Sequence, residues 1–335
     1  MEELILIDGN SLLFKAYYAT ASMGNLMVNK DGIPTNAVFG FANMLQKILE
    51  RESAYIVVAF DYGKKTFRND LLEQYKATRK ETPDELKCQF AMVREFLDAY
   101  SIPYYELEGY EGDDLIGTLS RLGEEQGLSV SIFTGDKDAF QLVSKQTTVY
   151  RTVKGVTQLD VYTPETIQEK YGLVPDQIRD FLGLMGDSAD NIPGIKGVGE
   201  KTALKLLHEY GTIENLKEHM HEIKGKMGEK IRENIDIGLQ SKKIATILRD
   251  VPMTLDLNQA RYDGYDFEKL KAFYTHYDMN SLLKKISVES RPTSKTDFQY
   301  EVVQKMPPIQ EDSSVLGAIY DSNYHKSIVL GYALY

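Results

Sequence analysis

Three short apolar runs constrain the fold more than anything else in the chain: "ELILID" ending at Asp8, "AYIVVAFD" ending at Asp61 and "LSVSIFTGD" ending at Asp136. Each is rich in β-branched residues and has the length of a buried strand, and helical patterns such as "TNAVFGFANMLQKILER" and "DDLIGTLSRLGEEQG" separate them. Strands that are apolar throughout and alternate with helices predict a parallel sheet covered on both faces. In such sheets ligands bind beyond the carboxyl ends of the strands, so Asp8, Asp61 and Asp136 should meet at one edge. A single strand-end aspartate is an ordinary turn former or helix cap. Three on one edge, with Asp138 two positions after Asp136, are harder to read that way.

The stretch "EGYEGDDLIG" adds Glu108, Glu111, Asp113 and Asp114 within seven positions, where a helix should begin. Neighbouring carboxylates raise one another's pKa and cost stability unless water screens them or a cation sits among them. Alone, such a cluster reads as a solvated helix face; beside the strand-end aspartates it predicts a bound cation. The five histidines, His208, His219, His221, His276 and His325, fall far from these clusters, and no second cysteine joins Cys88. Oxygen-only ligation favours a hard ion, with magnesium or manganese ahead of transition metals. Two such ions suit phosphodiester hydrolysis.

Downstream, "GLMGDSADNIPGIKGVGEKTALKLL" carries Asp187 and Asp190, three apart and on one face if the segment is helical. The glycines that follow permit a tight hairpin, and the next helix offers free backbone N–H groups as a phosphate seat. By itself this hairpin reads equally as an ordinary helix-turn-helix. The formal charge of −11 argues against a polyanion partner only if charge is evenly spread, and it is not. From Lys64 to Lys80 six basic residues stand against Asp70 and Glu73, with Tyr75 among them. That mixture suits a nucleic-acid strand through phosphate pairing and base stacking; the bland alternative is a solvated charged loop. The opening residues show no leader pattern, and no apolar run is long enough to span a bilayer. The lone cysteine, in the helical pattern "DELKCQFAMVREFLDAY", predicts a packing role in a reducing, cytoplasmic setting.

Six ordered segments, "LILIDGNSLLFKAYYA", "GIPTNAVFGFANML", "VVAFDYGKKTFRNDLLEQYKATR", "GYEGDDLIGTL", "TGDKDAFQLV" and "GLMGDSADNIPGIKGVGEKTALKLL", closely resemble the 5′-nuclease domain of bacterial DNA polymerase I, a relative of the flap endonucleases. The resemblance runs from residue 1 to about 287. It implies an α/β fold with a parallel central sheet flanked by helices and a helical subdomain carrying a helix-hairpin-helix. It further implies a monomeric nuclease dependent on two magnesium or manganese ions, acting on DNA with 5′ flaps, nicks or RNA primers in replication and repair, without membrane contact. The metal carboxylates would be Asp8, Asp61, Glu111, Asp113, Asp114, Asp136, Asp138, Asp187 and Asp190. Two divalent ions would leave that set with a nominal surplus of about five negative charges, so nearby cations matter. Lys76 resembles the family lysine on a basic helical arch (about 62–83) that reaches the scissile phosphate, with Arg68 and Lys15 also in catalytic positions. Lys15 stands where relatives usually carry arginine, which keeps the charge and loses the bidentate fork. DNA contacts would come from Tyr75 and Arg79 on the arch. In the helix-hairpin-helix (about 190–207), where the family often holds a potassium ion, they would come from Gly194, Lys196, Gly197, Gly199, Lys201 and Thr202.

The expected organisation is an α/β core at 1–163, a helical subdomain at 164–287 and a polar, proline-containing linker at 288–313. Residues 314–335 read as two strands that stop before a domain is complete, the start of an exonuclease-like fold by the same resemblance, with no polymerase present. Two other functions stay open at this point. One is a ribonuclease of the same carboxylate-site fold class, which the hairpin and basic arch disfavour. The other is a non-catalytic junction-binding module, which the intact carboxylate set disfavours.

Overall fold

The computed structural model describes residues 2–21, 26–154, 158–289, 315–320 and 329–334. The first half runs β1 (Glu3–Asp8), α1 (Gly9–Ala21), α2 (Asn36–Leu49), β2 (Tyr55–Ala59), α3 (Phe67–Leu71), α4 (Asp84–Ala99), β3 (Tyr104–Tyr105), α5 (Gly112–Glu125) and β4 (Ser129–Thr134). A 3₁₀ turn at Asp138–Leu142 leads to β5 (Thr147–Lys154), β6 (Gln158–Tyr162) and α6 (Pro164–Tyr171). Then come α7 (Ile178–Met185), α8 (Glu200–Tyr210), α9 (Ile213–His219), α10 (Gly225–Ala245), α11 (Leu257–Ala260), α12 (Phe267–His276) and α13 (Asn280–Glu289).

The sheet order is β3-β2-β1-β4-β5-β6, parallel except for the β5–β6 pair. Side chains alternate across a strand. Leu4, Leu6, Val57, Val130 and Ile132 therefore enter a core under α5 and the helices that follow β6, while Ile5, Ile7, Ile56, Val58 and Phe133 enter a second core under α1, α2 and α4. Burial on both faces is why these strands carry no polar alternation. In register, Asp8 pairs with Ala59, and Ile7 with Phe133. Asp61 and Asp136 lie two residues beyond the ends of β2 and β4, so all three aspartates reach the same edge, as the strand pattern requires.

Local signals fix the helix ends. Thr163 caps α6, Pro164 opens it, and Gly172 closes it at φ 67°, a conformation that favours glycine. The helices from 164 onward do not form one layer, however. Those up to Ala260 share the α5-side core, whereas Leu270, Phe273, Tyr274, Leu282 and Ile286 pack with α2 and α4 on the opposite face, where the Phe96 and Phe273 rings lie 5.6 Å apart. Helical spacing shows that a helix has an apolar stripe without saying which layer receives it. Cys88 corrects the packing expectation: it lies on α4 but is exposed, its thiol turned to the Glu85 carbonyl at 3.4 Å.

Residues 1–290 form one compact unit. In the second unit, β7 (Val315–Tyr320) and β8 (Val329–Leu334) pair antiparallel, giving the two strands that the sequence pattern calls for. The expected linker lies outside the described residues except for its first two positions, which finish α13.

Candidate active site

At the carboxyl edge of the sheet, a cleft of about 840 Å³ is lined by Asp8, Asp61, Asp113, Asp136, Asp138 and Asp187, with Lys15, Lys76, Arg79 and Arg151 also on its wall. Neutral donors aim the first two carboxylates. Asp8 accepts from the Ser11 N–H (2.8 Å) and the Thr134 hydroxyl (2.7 Å). Asp61 accepts from the Gly112 N–H and from Asn10 Nδ2, both at 2.7 Å. Asp136 accepts from the Asp138 N–H at 2.9 Å and Asp187 from the Ala189 N–H at 2.8 Å, each within a short turn. Burial, only partly opposed by its hydrogen bonds and reinforced by Asp61 and Asp136, pushes the Asp8 carboxyl up to about 6. Burial and then neighbouring carboxylates push Asp113 and Asp138 well above the ordinary range, and burial raises Asp187 as well. Among the described residues no three carboxylates are drawn together as ligands of one ion. A cation nevertheless fits this donor set, because it consists of oxygen donors alone and holds negative charge that its own surroundings do not offset.

The other three predicted carboxylates are neutralised from within. Asp114, fully buried, takes both guanidinium nitrogens of Arg68 at 2.6 and 2.8 Å, and its remaining lone pairs take the Leu248 and Glu111 N–H groups. It has no free oxygen for a metal, and Arg68, buried, is also bonded to the Ile244 and Thr246 carbonyls and lies 3.6 Å from Glu111. The metal role expected of Asp114 and the catalytic role expected of Arg68 are thus replaced by a structural pair. Glu111 receives the Lys76 ammonium at 2.8 Å, and Asp190 is clasped by Arg79. Burial disfavours the Lys76 charge, but Glu111 and Asp190 outweigh it and hold the ammonium protonated. Tyr75, expected to stack on bases, is buried instead: its hydroxyl donates to Glu111 at 3.1 Å and lies 3.2 Å from Asp190.

The basic segment forms no long helical arch here. After α3, a five-residue helix, it continues in turns, pinned where the Gln240 side chain meets the Leu71 carbonyl (2.7 Å), Asn191 meets Gln74 (2.8 Å) and the Lys76 N–H meets Asp190 (2.9 Å). Lys76 has φ 56°, a costly backbone for a side-chain-bearing residue, and so a position the surrounding contacts over-determine. Asp187 and Asp190 share a turn, not a helix face: Asp187 and Ile192 exchange backbone hydrogen bonds around it.

The glycine hairpin joins α7 to α8 as expected. Gly194, at φ 60°, would place a Cβ 2.3 Å from the Gly186 nitrogen, so only glycine fits. Its N–H is buried against Ser241, which removes it from the expected DNA contacts. Gly197, Gly199, Lys196 and Lys201 are exposed, with Thr202 half-buried at the start of α8. Asn10, Ser11 and Thr134 were missed by sequence reasoning, although "DGNS" directly after a strand-end aspartate was a usable signal. Arg151 on β5 had none.

Residues 3–172 match the family described as 5′-3′ exonuclease, N-terminal resolvase-like domain, and residues 173–268 match 5′-3′ exonuclease, C-terminal SAM fold. The chain belongs to the 5′-3′ exonuclease family. It is 45% identical over 341 residues to DNA polymerase I of Bacillus caldotenax and 42% identical to that of Bacillus subtilis, in each case over 99% of this chain and 38% of the relative. The chain thus spans somewhat over a third of the length of these curated relatives. In fold, this chain is similar to the bacteriophage T5 D15 flap endonuclease solved with DNA and metal ions (TM-score 0.60, 18% identity, 86% of this chain and 98% of that one). It is also similar to the catalytic core of Rad2 in complex with DNA substrate (TM-score 0.58, 18% identity, 86% of this chain and 91% of that one). At that identity the likeness speaks for the fold.

Proposed function

We propose that this chain is a magnesium- or manganese-dependent 5′ nuclease, hydrolysing phosphodiesters in 5′ flaps, at nicks and in RNA primers on duplex DNA during replication and repair. The observation that carries the reading is the cleft in which six aspartates converge, Asp8, Asp113 and Asp138 all pushed up by burial and then by neighbouring carboxylates. The metal relatives of the fold and the family membership support it. Asp8, Asp61, Asp113, Asp136, Asp138 and Asp187 would hold two divalent ions, with Glu111 and Asp190 at their margin. Divalent ions so held would supply an activated water and neutralise charge developing on a phosphodiester.

The chain's own residues do the rest. Ser11, Thr134, Gly112 and Asn10 fix the Asp8 and Asp61 carboxylates before any ligand arrives, so no reorganisation is needed at the reacting phosphate. Lys76 holds a protonated ammonium at the cleft wall, where it can pair with a phosphate oxygen once released from Glu111. Lys196, Lys201 and the N–H groups that begin α8 grip duplex phosphates, with potassium as the ion of the hairpin. Monomeric action in the cytoplasm completes the reading. The test is incubation of the purified chain with a labelled 5′-flap duplex and magnesium. Cleavage near the junction that a chelator abolishes is the expected result; intact flap with DNA bound would make the chain a binding module.

A further inference from the structure

Two cations on the cleft wall have close acidic partners, Lys76 on Glu111 and Arg79 on Asp190, and Lys137 there is exposed to solvent. Lys15 and Arg151 do not follow that pattern. The Lys15 ammonium donates to neutral oxygens, the Thr152 hydroxyl at 2.6 Å and the Thr152 carbonyl, and among the described residues no carboxylate pairs with it. Arg151 donates from Nε to the Gly135 carbonyl at 3.4 Å, and its nearest acidic partner, Asp160 across the β5–β6 pair, stands off at 3.8 Å. Both side chains meet at Gly135, the residue before Asp136: a Cβ built there would lie 3.6 Å from Lys15 Nζ. Burial and then the Arg151 charge lower the Lys15 pKa, so the two cations are held together at an energetic cost.

We propose that Arg151 joins Lys15, itself expected near the reacting phosphate from the family resemblance, in a preassembled phosphate subsite at the Gly135 end of the carboxylate cleft, taking a phosphate of the displaced DNA strand adjacent to the bond that is cut. Two like charges in one wall are stabilised by an anion between them, and a guanidinium beside an ammonium offers a fork and a point charge to phosphate oxygens. The acidic cleft around them accounts for the need: an entering strand meets six aspartates, and cations uncommitted to any of them offset the repulsion for the neighbouring phosphate. The inference rests on the nuclease reading above and names where that substrate is held.

The experiment uses the whole chain and 5′-flap and nicked duplexes carrying either a 5′-phosphate or a 5′-hydroxyl, with binding followed by fluorescence anisotropy in chelator across a range of salt. Arg151→Gln should weaken binding about five- to tenfold and reduce the slope of log affinity against log salt by about one, and Arg151→Lys should restore the slope. Asp160→Asn separates this role from bracing of the sheet edge. A phosphate subsite predicts binding equal to or tighter than the parent, whereas a brace predicts that Asp160→Asn and Arg151→Gln lower the melting midpoint and binding together. Manganese affinity should be unchanged in Arg151→Gln. A loss confined to 5′-phosphorylated ends would identify the terminal monoester as the bound group, and an equal loss for both ends an internal diester; either upholds the subsite. Parent-like affinity and slope in Arg151→Gln, or weakening by Asp160→Asn to match it, would overturn it. If the parent cleaves flap DNA with magnesium and these variants match it, only the subsite fails; if the parent does not cleave, the nuclease reading fails first.

Discussion

The carboxylates at the sheet edge fall into two regions with opposite electrostatics. Around α3 and the turn at 187–192, Glu111, Asp114 and Asp190 are met by Lys76, Arg68 and Arg79 at hydrogen-bonding distance. In the cleft itself, at the strand ends and the first turn of α5, Asp8, Asp113 and Asp138 have no cation at hydrogen-bonding distance among the described residues, and burial raises all three. One region is completed by folding; the other would be completed by the divalent ions proposed above. Opposite charges close at hand repay desolvation in the first region, whereas in the second the Asp8 hydrogen bonds and the more distant Lys76 charge offset it only in part. Stability and catalysis should therefore respond to mutation in opposite ways in the two regions.

The largest effect should come from Asp113→Asn. It removes a carboxylate from the unmet region, so cleavage of a flap substrate should fall by about 10³-fold while the melting midpoint of the metal-free protein stays level or rises. A fall in both would place Asp113 with the structural group. Asp114→Asn should do the reverse. It leaves Arg68 buried beside a neutral partner, which costs about 3–5 kcal/mol in unfolding free energy by denaturant titration. Wild-type stability in that variant would erase the distinction between the regions. Next in size, Lys76→Ala should lower the single-turnover rate by about 10²-fold with a smaller change in DNA affinity, since its ammonium acts on the reacting phosphate. Weakened affinity with an unchanged rate would make the lysine a tether.

The smallest effect is in pH. Asp8 titrates at about 6 in the folded protein against an ordinary value of 3.8, so its contribution favours the folded state fully below about 4 and is lost as pH rises through 6. Metal-free protein should thus gain about 1 kcal/mol from this group on going from pH 7 to pH 5, and saturating magnesium should remove the gain by favouring the ionised carboxylate. Flat stability over that interval in metal-free protein would show that the strand-end region is already compensated.

Much of this was legible in the sequence because it is local. A β-branched run announces a strand, an aspartate at its end announces the sheet edge, and Thr-Pro followed by a distant Gly brackets α6. What was illegible depends on partners far away along the chain. Composition shows that the 64–80 segment is basic, but Arg68 is withdrawn from solvent by Asp114, 46 positions on, and by the Ile244 and Thr246 carbonyls, 176 and 178 positions on. Tyr75 likewise looks like an exposed aromatic among cations until Asp190 and Glu111 close over its hydroxyl. The layer that receives α12 and the exposure of Cys88 are also matters of tertiary packing, since both helices have apolar stripes and periodicity alone does not assign the partner.

The central claim is that the strand-end carboxylates, and not those around Arg68, wait for a divalent ion. Calorimetric titration of manganese into the metal-free parent, Asp138→Asn and Glu111→Gln, with the melting midpoint of each followed in parallel, tests it most directly. The account predicts that the parent binds manganese and gains stability from it, that Asp138→Asn loses most of the affinity, and that Glu111→Gln keeps most of it. Equal affinity in the parent and Asp138→Asn, or a loss confined to Glu111→Gln, would contradict it.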